Sequence, residues 1–309
     1  MSQLNITSYK AIWLPVLTLI VISLLMASDA YAEDVTLPYK GLTLNANLEL
    51  APDTELQDGL VVIVHGVMGH NKMEIIKTTQ RALLENGQSS LAINLSLGLD
   101  NRRGFYDCDV PHRHSHEDAV NELSAWVGWL RQRKIRQITL LAHSQGANEV
   151  MVYAVENKIP EVTRLIFLAP FTVDDSKELL EARYGSDLDL VLGHAMDTIK
   201  SGHGDDFMDN TDFQICPKTR VTARTFVSYY GEGSRFRDFP SYLSRITIPT
   251  LITTGTHDER QPQIAQHLQP YVDGQLIQLQ VIQGADHFFR DFNIDEAIEQ
   301  AVKFIRETS

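Results

Sequence analysis

The chain has 309 residues, of which 43% are hydrophobic, and its formal net charge is −13. Lys and Arg are scattered rather than clustered, so we expect no nucleic-acid partner, and a polyanionic substrate is disfavoured too. This length fits one large domain or two small ones.

The first 32 residues are typical of a signal peptide. Lys10 precedes an apolar run over residues 12–26, and Ala-Tyr-Ala at 30–32 predicts cleavage before Glu33. The run contains Pro15 and is shorter than the roughly 20 apolar residues that a membrane-spanning helix needs, so a retained anchor is the weaker alternative. We therefore predict export to the periplasm or the medium, without a stable membrane anchor.

The rest of the chain, residues 33–309, predicts a single domain of the α/β class. Residues 33–58 favour an antiparallel hairpin at a sheet edge, and from Leu60 onward β-branched runs alternate with amphipathic stretches, as in a mainly parallel, doubly wound sheet. The predicted strands are 60–64, 91–95, 137–142, 165–169, 250–254 and 277–282, and the predicted helices are 72–86, 115–133, one beginning near 145, 262–268 and 295–306.

Residues 171–240 interrupt this alternation. They are rich in Gly, Asp and aromatic residues and lack the pattern of a strand. We interpret them as an insertion that covers one end of the sheet, and we call them the cap segment.

The predicted strand 137–142 leads directly into Ser144. A serine exposed on a tight strand-to-helix turn needs small residues two positions before and after it, and Ala142 and Gly146 stand there. Glycine is usual at both positions, so Ala142 is a departure, but alanine is still small. Ser144 is therefore the candidate nucleophile, with a serine placed there by chance as the alternative.

A glycine-containing loop, residues 65–69, follows the first strand of the parallel sheet. Backbone N–H groups in such a loop can stabilise the negative charge that acyl transfer places on a carbonyl oxygen. We assign this oxyanion hole to the backbone of Val67 and Gln145. The alternative interpretation is an ordinary turn between a strand and a helix.

An acid and a base follow two later strands. Asp258 comes after the strand 250–254, and His287 comes after the strand 277–282. An imidazole takes the serine proton, and a carboxylate orients the imidazole, so Ser144, His287 and Asp258 are the predicted triad. Asp286 and Glu259 are weaker candidates for the acid, since neighbouring side chains at a strand end diverge.

These motifs resemble the α/β-hydrolase family over nearly all of residues 58–307, with the chain order Ser, Asp, His that the family shows. Alanine before the turn and the short His-Gly loop look like some small bacterial lipases, although the cap segment departs from their minimal form. The motifs together are specific for the superfamily and not for a substrate class.

The resemblance implies a serine hydrolase that cleaves a carboxylic ester or thioester through an acyl-enzyme, without a cofactor or metal. The alternatives are an amidase or peptidase with the same triad, and a binding protein that has lost catalysis. Six aromatic residues of the cap segment suggest a small-molecule ester with an apolar group, although they could instead form the segment's own core. They are Phe207, Phe213, Phe226, Tyr229, Tyr230 and Phe236.

Two further patterns concern cysteine and histidine. Cys108 and Cys216 are the whole thiol content, and in an exported chain they predict a disulfide, with two unpaired buried thiols as the alternative. His112, His114 and His116 stand at alternate positions, which suggests a metal site. No cysteine or carboxylate pattern completes a zinc set, so we interpret them as a polar loop at the mouth of the pocket.

Overall fold

The computed structural model describes residues 31–171, 181–232, 234–237 and 239–308, so nearly all of the predicted signal peptide lies outside the described residues. The strands are β1 Tyr31–Tyr39, β2 Leu42–Leu50, β3 Leu60–Val64, β4 Ser90–Asn94, β5 Ile138–His143, β6 Val162–Leu168, β7 Phe207–Phe213, β8 Cys216–Thr222, β9 Thr250–Gly255 and β10 Ile277–Ile282. The α-helices are α1 Glu74–Glu85, α2 Glu117–Gln132, α3 Gln145–Asn157, α4 Leu188–Lys200, α5 Ala223–Tyr230, α6 Phe239–Leu243, α7 Ile264–Leu268 and α8 Asn293–Glu307.

Eight strands form one sheet in the order β1-β2-β4-β3-β5-β6-β9-β10. β1 and β2 form an antiparallel hairpin at one edge, and β2 is also antiparallel to β4. All other neighbouring strands in this sheet are parallel. The mainly parallel sheet confirms the predicted fold class, and the hairpin lies at an edge as expected.

The two faces of the sheet carry separate hydrophobic cores. β3 is buried at all five positions, as expected of a strand covered on both sides. Its side chains alternate in direction, so Val62 packs with residues of α2 and α3, whereas Ile63 packs with residues of α1 and α8. The helices therefore cover both faces and leave the carboxyl ends of the parallel strands for the loops.

The prediction that the cap segment contains no strand is wrong. β7 and β8 form an antiparallel ribbon in which Phe213 pairs with Cys216, and its register shifts twice. Asp209, Asn210 and Asp212 break the alternation of apolar and polar residues that would have indicated a strand in the sequence. Helices α4, α5 and α6 complete the described part of the connection between β6 and β9.

Most of the aromatic side chains of the cap segment pack on one another. Phe213 and Phe226 are fully buried in a cluster that also holds Tyr229, Tyr230 and Met68. Five of the six named rings are buried, and Phe207 is half-buried under two arginine side chains. Four of the rings form a core of their own, which was the alternative interpretation of this pattern, whereas Phe236 packs in the core of the main sheet.

A disulfide joins Cys108 to Cys216, with the two Cα atoms 5.2 Å apart. It ties the loop after β4 to the ribbon β7-β8. The backbone of His112 adds hydrogen bonds to the same ribbon: its N–H donates to the carbonyl of Arg220, and its carbonyl accepts from the N–H of Thr222. Closing a loop of this length stabilises a fold by about 4 to 5 kcal/mol in the chain-entropy model, and native strain reduces that figure.

Within the part of the chain that the structure describes, no helix is long and apolar enough to span a bilayer.

Candidate active site

Ser144 lies on a strained turn between β5 and α3. Its φ is 56° and its ψ is −130°, in a region that residues other than glycine rarely adopt. A Cβ atom at Gly146 would come within 2.4 Å of the carbonyl oxygen of His65, so only glycine fits there. The close approach of the turn to the loop 65–69 explains why small residues flank the serine.

The three predicted triad residues form one hydrogen-bonded chain. His287 Nε2 lies 2.9 Å from Ser144 Oγ, and His287 Nδ1 lies 2.8 Å from Asp258 Oδ2. A carboxylate can only accept, so Nδ1 donates to Asp258, which leaves Nε2 free to accept the serine proton. The three residues are at most 5% exposed, so little water competes for these hydrogen bonds.

Asp258 is held in the ionised form. Burial alone would raise its pKa, but the hydrogen bond and charge of His287 and the backbone N–H groups of Arg260 and Gln261 lower it below the usual value. Asp286, the weaker candidate, uses its carboxylate on the N–H groups of Phe288 and Arg290 and on the Arg290 side chain. Glu259 is exposed.

His143 fixes the loop that carries His287. Its Nε2 donates to the backbone carbonyl of His287 at 2.9 Å. Burial lowers the pKa of His143 to about 3, so this imidazole stays neutral. The sequence placed His143 in the turn but gave no sign of this contact, because its partner lies 144 residues away.

The loop 65–69, hereafter the oxyanion loop, has several carbonyl groups that are engaged in hydrogen bonds within the protein. The carbonyl of Gly66 accepts from Gly69 N–H and lies 2.9 Å from His65 Nδ1, while that of Met68 accepts from Tyr106 N–H. The N–H of Val67 makes no hydrogen bond to a described residue, nor does that of Gln145, which begins α3 and has no helical acceptor. Both predicted oxyanion donors are therefore unoccupied.

Arg102 supports the oxyanion loop from behind, and sequence reasoning missed it. Its buried guanidinium donates to the carbonyls of Gly69, Leu95 and Gly104 and to the ring of His65. Burial and this neighbouring positive charge lower the pKa of His65 to about 3, so His65 is neutral. A single arginine in a polar loop has no pattern that would have indicated this role.

The interpretation of His112, His114 and His116 as a polar loop at the pocket mouth is wrong. All three are buried, in stacked and edge contacts with Tyr106, Tyr229 and other rings. Among the residues that the structure describes, no group of three or more His, Cys, Asp or Glu side chains could hold a metal ion. The three imidazoles instead fill the core beneath the ribbon β7-β8.

A mainly apolar groove runs from the loop that follows His287. The ring of Phe288 meets that of His287 edge-on, with the two ring centres 5.3 Å apart. The groove has about 690 Å³ of open space, counted out to the solvent. Its apolar lining consists of Met73, Ile75, Phe105, Phe288, Phe289 and Ile294.

Comparison with known proteins finds similarity at the level of the fold. No family model and no curated protein sequence matches the chain.

Among solved structures, Est1E from Butyrivibrio proteoclasticus has a TM-score of 0.61 at 18% identity, and the match covers 89% of this chain and 98% of Est1E. An esterase domain from Rhodothermus marinus has a TM-score of 0.57 at 16% identity, covering 90% and 98%. Dienelactone hydrolase from Anabaena variabilis has a TM-score of 0.55 at 14% identity, with the same coverage. The chain therefore has the α/β-hydrolase fold.

Proposed function

We propose that this protein is a serine hydrolase that cleaves a carboxylic ester or thioester through an acyl-enzyme. The observation that carries the proposal is the buried hydrogen-bonded chain from Ser144 through His287 to Asp258, with separations of 2.9 and 2.8 Å. The α/β-hydrolase fold supports it, since the structurally similar proteins include esterases.

In the first half of the proposed reaction, Ser144 Oγ attacks the carbonyl carbon and His287 Nε2 takes the hydroxyl proton. The carbonyl oxygen becomes negative and accepts hydrogen bonds from the N–H groups of Val67 and Gln145, each worth roughly 2.7 to 4 kcal/mol in the transition state. Asp258 stabilises the imidazolium that forms. His287 then gives its proton to the leaving oxygen or sulfur, and the acyl group remains on Ser144.

In the second half, water repeats the attack. His287 takes a proton from the water as it adds to the acyl carbon, and the same two N–H groups bind the oxyanion. Collapse of the intermediate returns the proton to Ser144 Oγ and releases the carboxylic acid. These steps need only the protein's own residues and water.

The groove beside Phe288 supports a substrate with an apolar group. One of its lining rings, Phe288, contacts the imidazole that protonates the leaving group, so the apolar group in this proposal belongs to the alcohol or thiol. The disulfide between Cys108 and Cys216 supports the proposed export, since such bonds persist in oxidising compartments.

The test is labelling of the protein, without residues 1–32, by a fluorophosphonate probe. We expect the label on Ser144, and Ser144→Ala is expected to lose both labelling and turnover of p-nitrophenyl esters, with kcat lower by roughly 10⁴-fold or more. An aminoacyl anilide assayed beside the esters separates an esterase from an amidase.

Ser244→Ala is the matched control, because the hydroxyl of Ser244 is exposed and bonds only to a neighbouring backbone carbonyl. We expect it to keep the wild-type label and rate. Undiminished ester hydrolysis by Ser144→Ala would overturn the proposal.

A further inference from the structure

Met68 follows Val67 in the oxyanion loop and has an unusual backbone conformation. Its φ is 48°, in the left-handed region that residues with a side chain rarely adopt. A residue persists in such a conformation only where the surrounding structure holds it there. Because the backbone of Val67 is bonded directly to that of Met68, contacts that hold Met68 also hold the N–H group of Val67.

One half of the disulfide packs against the side chain of Met68. Sγ of Cys216 lies 3.7 Å from Sδ of Met68, and both residues are buried in the same core cluster. The bond to Cys108 fixes the position of Sγ, so Cys216 cannot change rotamer and move away from the methionine. The side chain of Met68 therefore rests on a covalently fixed surface.

The segment that carries the other half of the disulfide holds the backbone of Met68. Tyr106, two residues before Cys108, donates its N–H to the carbonyl of Met68 at 3.1 Å. The carbonyl of Cys108 in turn accepts from Thr219 Oγ1 at 2.7 Å, which fastens this segment to the ribbon β7-β8. The two segments that the disulfide joins thus hold the side chain and the carbonyl of Met68 together.

We propose that the disulfide positions the oxyanion loop through Met68, so that full activity requires the bond between Cys108 and Cys216. This inference rests on the proposed function, because it takes the N–H of Val67 as an oxyanion donor. Met68 and the disulfide are positioning groups, since they act through the backbone of Val67 and not on the reacting atoms.

Reduction of the bond separates the two segments that hold Met68. Each sulfur then gains one electron and one proton from a thiol reductant, and two thiols remain. Without the bond the N–H of Val67 shifts from its place, and a displacement of about 1 Å near a reacting group slows turnover by about a hundredfold. A chain with reduced cysteines is therefore a slow enzyme, and oxidation after the proposed export raises its turnover.

The test is Cys108→Ala, which breaks the bond and leaves the sulfur of Cys216 beside Met68. We expect kcat on one p-nitrophenyl ester, assayed well below the melting temperature, to fall roughly 10- to 100-fold. KM should stay within about threefold of wild type, because the oxyanion hole acts mainly in the transition state. The rate of fluorophosphonate labelling at Ser144 should fall with kcat, since the reaction with this probe also places negative charge in the oxyanion hole.

Met68→Ala keeps the disulfide and removes its contact with the oxyanion loop. We expect a fall in kcat of roughly tenfold or more, again with little change in KM. Met68→Leu has nearly the volume of the wild type and should keep most of the activity. Cys108→Ala combined with Met68→Ala should lose less than the product of the two separate losses, because both changes act on the same loop.

Met208→Ala is the matched control for the loss of a buried methionine. Met208 lies in the same core cluster, in β7, where it pairs with Val221 of β8. We expect this variant to melt at a lower temperature, as Met68→Ala does, and to keep kcat within a few fold of wild type. Stability and positioning are thereby measured apart.

Fluorophosphonate labelling of the wild type separates the two possible failures. If Ser144 is labelled and either Cys108→Ala or Met68→Ala keeps the wild-type kcat, the role of the disulfide is wrong and the hydrolase proposal stands. The same holds if Met208→Ala loses as much kcat as Met68→Ala. If Cys108→Ala does not fold, Met68→Ala decides alone. If Ser144 is not labelled and Ser144→Ala hydrolyses the ester, the hydrolase proposal fails, and this inference fails with it.

Discussion

Each oxygen of Asp258 has a separate task. Oδ1 accepts from the N–H groups of Arg260 and Gln261, which fixes the carboxyl plane, while Oδ2 accepts from His287 Nδ1. The side chain of Asp258 is fully buried, so the ring has no water to bond to instead. The tautomer of His287 therefore depends on a single atom of Asp258.

We expect Asp258→Asn to lower kcat roughly 10³- to 10⁴-fold near neutral pH with little change in KM. The amide oxygen can still accept from the two N–H groups, so the NH₂ group would face Nδ1. That donor stabilises the tautomer with its proton on Nε2, which cannot accept from Ser144. Steady-state kinetics on one p-nitrophenyl ester measures the effect.

Asp286→Asn is the matched control, since Asp286 is adjacent to His287 in sequence and bonds to Arg290 and Phe288. We expect its kcat to stay within a few fold of wild type. A large loss of kcat in Asp286→Asn together with a small loss in Asp258→Asn would show that Asp286, and not Asp258, is the acid.

Among the elements, the oxyanion loop depends most on one side chain outside it. Arg102 lies in the loop after β4, and its Nη2 donates to the carbonyl of Gly69 at 2.8 Å and to that of Leu95. It joins the loop after β3 to the loop after β4 and holds the carbonyl of Gly69 in place. Such a guanidinium is a positioning group, because it reaches the reaction only through the backbone of Val67.

Arg102→Met should lower both stability and kcat. Several carbonyls lose a buried donor, and breaking such a network costs about 3 to 5 kcal/mol. A displaced Val67 N–H would lower kcat by roughly 10²- to 10³-fold. Thermal melting and kcat measure the two effects, and Arg102→Lys, which keeps the charge but cannot bridge the carbonyls, gives a milder test if the first variant fails to fold.

Arg103→Met is the control for a neighbouring arginine, since Arg103 is exposed and forms only surface contacts with Asp34 and Asn101. It should melt and turn over like the wild type. Wild-type melting and kcat in Arg102→Lys would show that the loop does not need this network.

Sequence patterns predicted the elements that are buried on regular faces. The strands 60–64 and 277–282 agree with the structure to the residue, because the first is a continuous apolar run and the second largely alternates apolar residues with glutamine, and turn residues bound both. β7 was missed because its polar residues face solvent on an irregular ribbon. Arg102 was missed because its role comes from contacts between distant segments, which no local spacing records.

Several histidines in the core of the molecule are neutral because they are buried. Burial lowers the pKa of His65 and His143 to about 3, that of His112 to about 4, and that of His114 well below its usual value. Burial acts in the opposite sense on Glu122 and raises its pKa to about 7. Between pH 7.5 and 5.5 these four imidazoles and this carboxyl group therefore change stability in opposite directions.

We expect stability to fall as pH drops below about 6.5. The unfolded chain then binds protons at these histidines and the folded chain does not, so each histidine costs on the order of 1 kcal/mol at pH 5.5. Protonation of Glu122 in the folded chain increases stability as the pH falls from about 7 to 4.5, which offsets only part of this loss. Urea unfolding at pH 7.5 and 5.5 should give a lower midpoint at the lower pH.

His114→Gln should weaken this pH dependence, because it removes one proton that the unfolded chain takes up. His267→Gln changes an exposed histidine and should leave the pH dependence as it is. Equal midpoints at the two pH values in the wild type would contradict the argument.

The two ends of the described chain lie far from Ser144. Tyr31 pairs with Leu50, next to the pair of Glu49 with Ser90 at the start of β4. Thr308 bonds to Arg164 near the start of β6. Ser144 follows the carboxyl end of β5, so a strand length of about 16 to 20 Å separates it from either end. A tether attached at Glu33 or after Thr308, to a bead, an electrode or a fused carrier, therefore leaves the mouth of the site facing the solution.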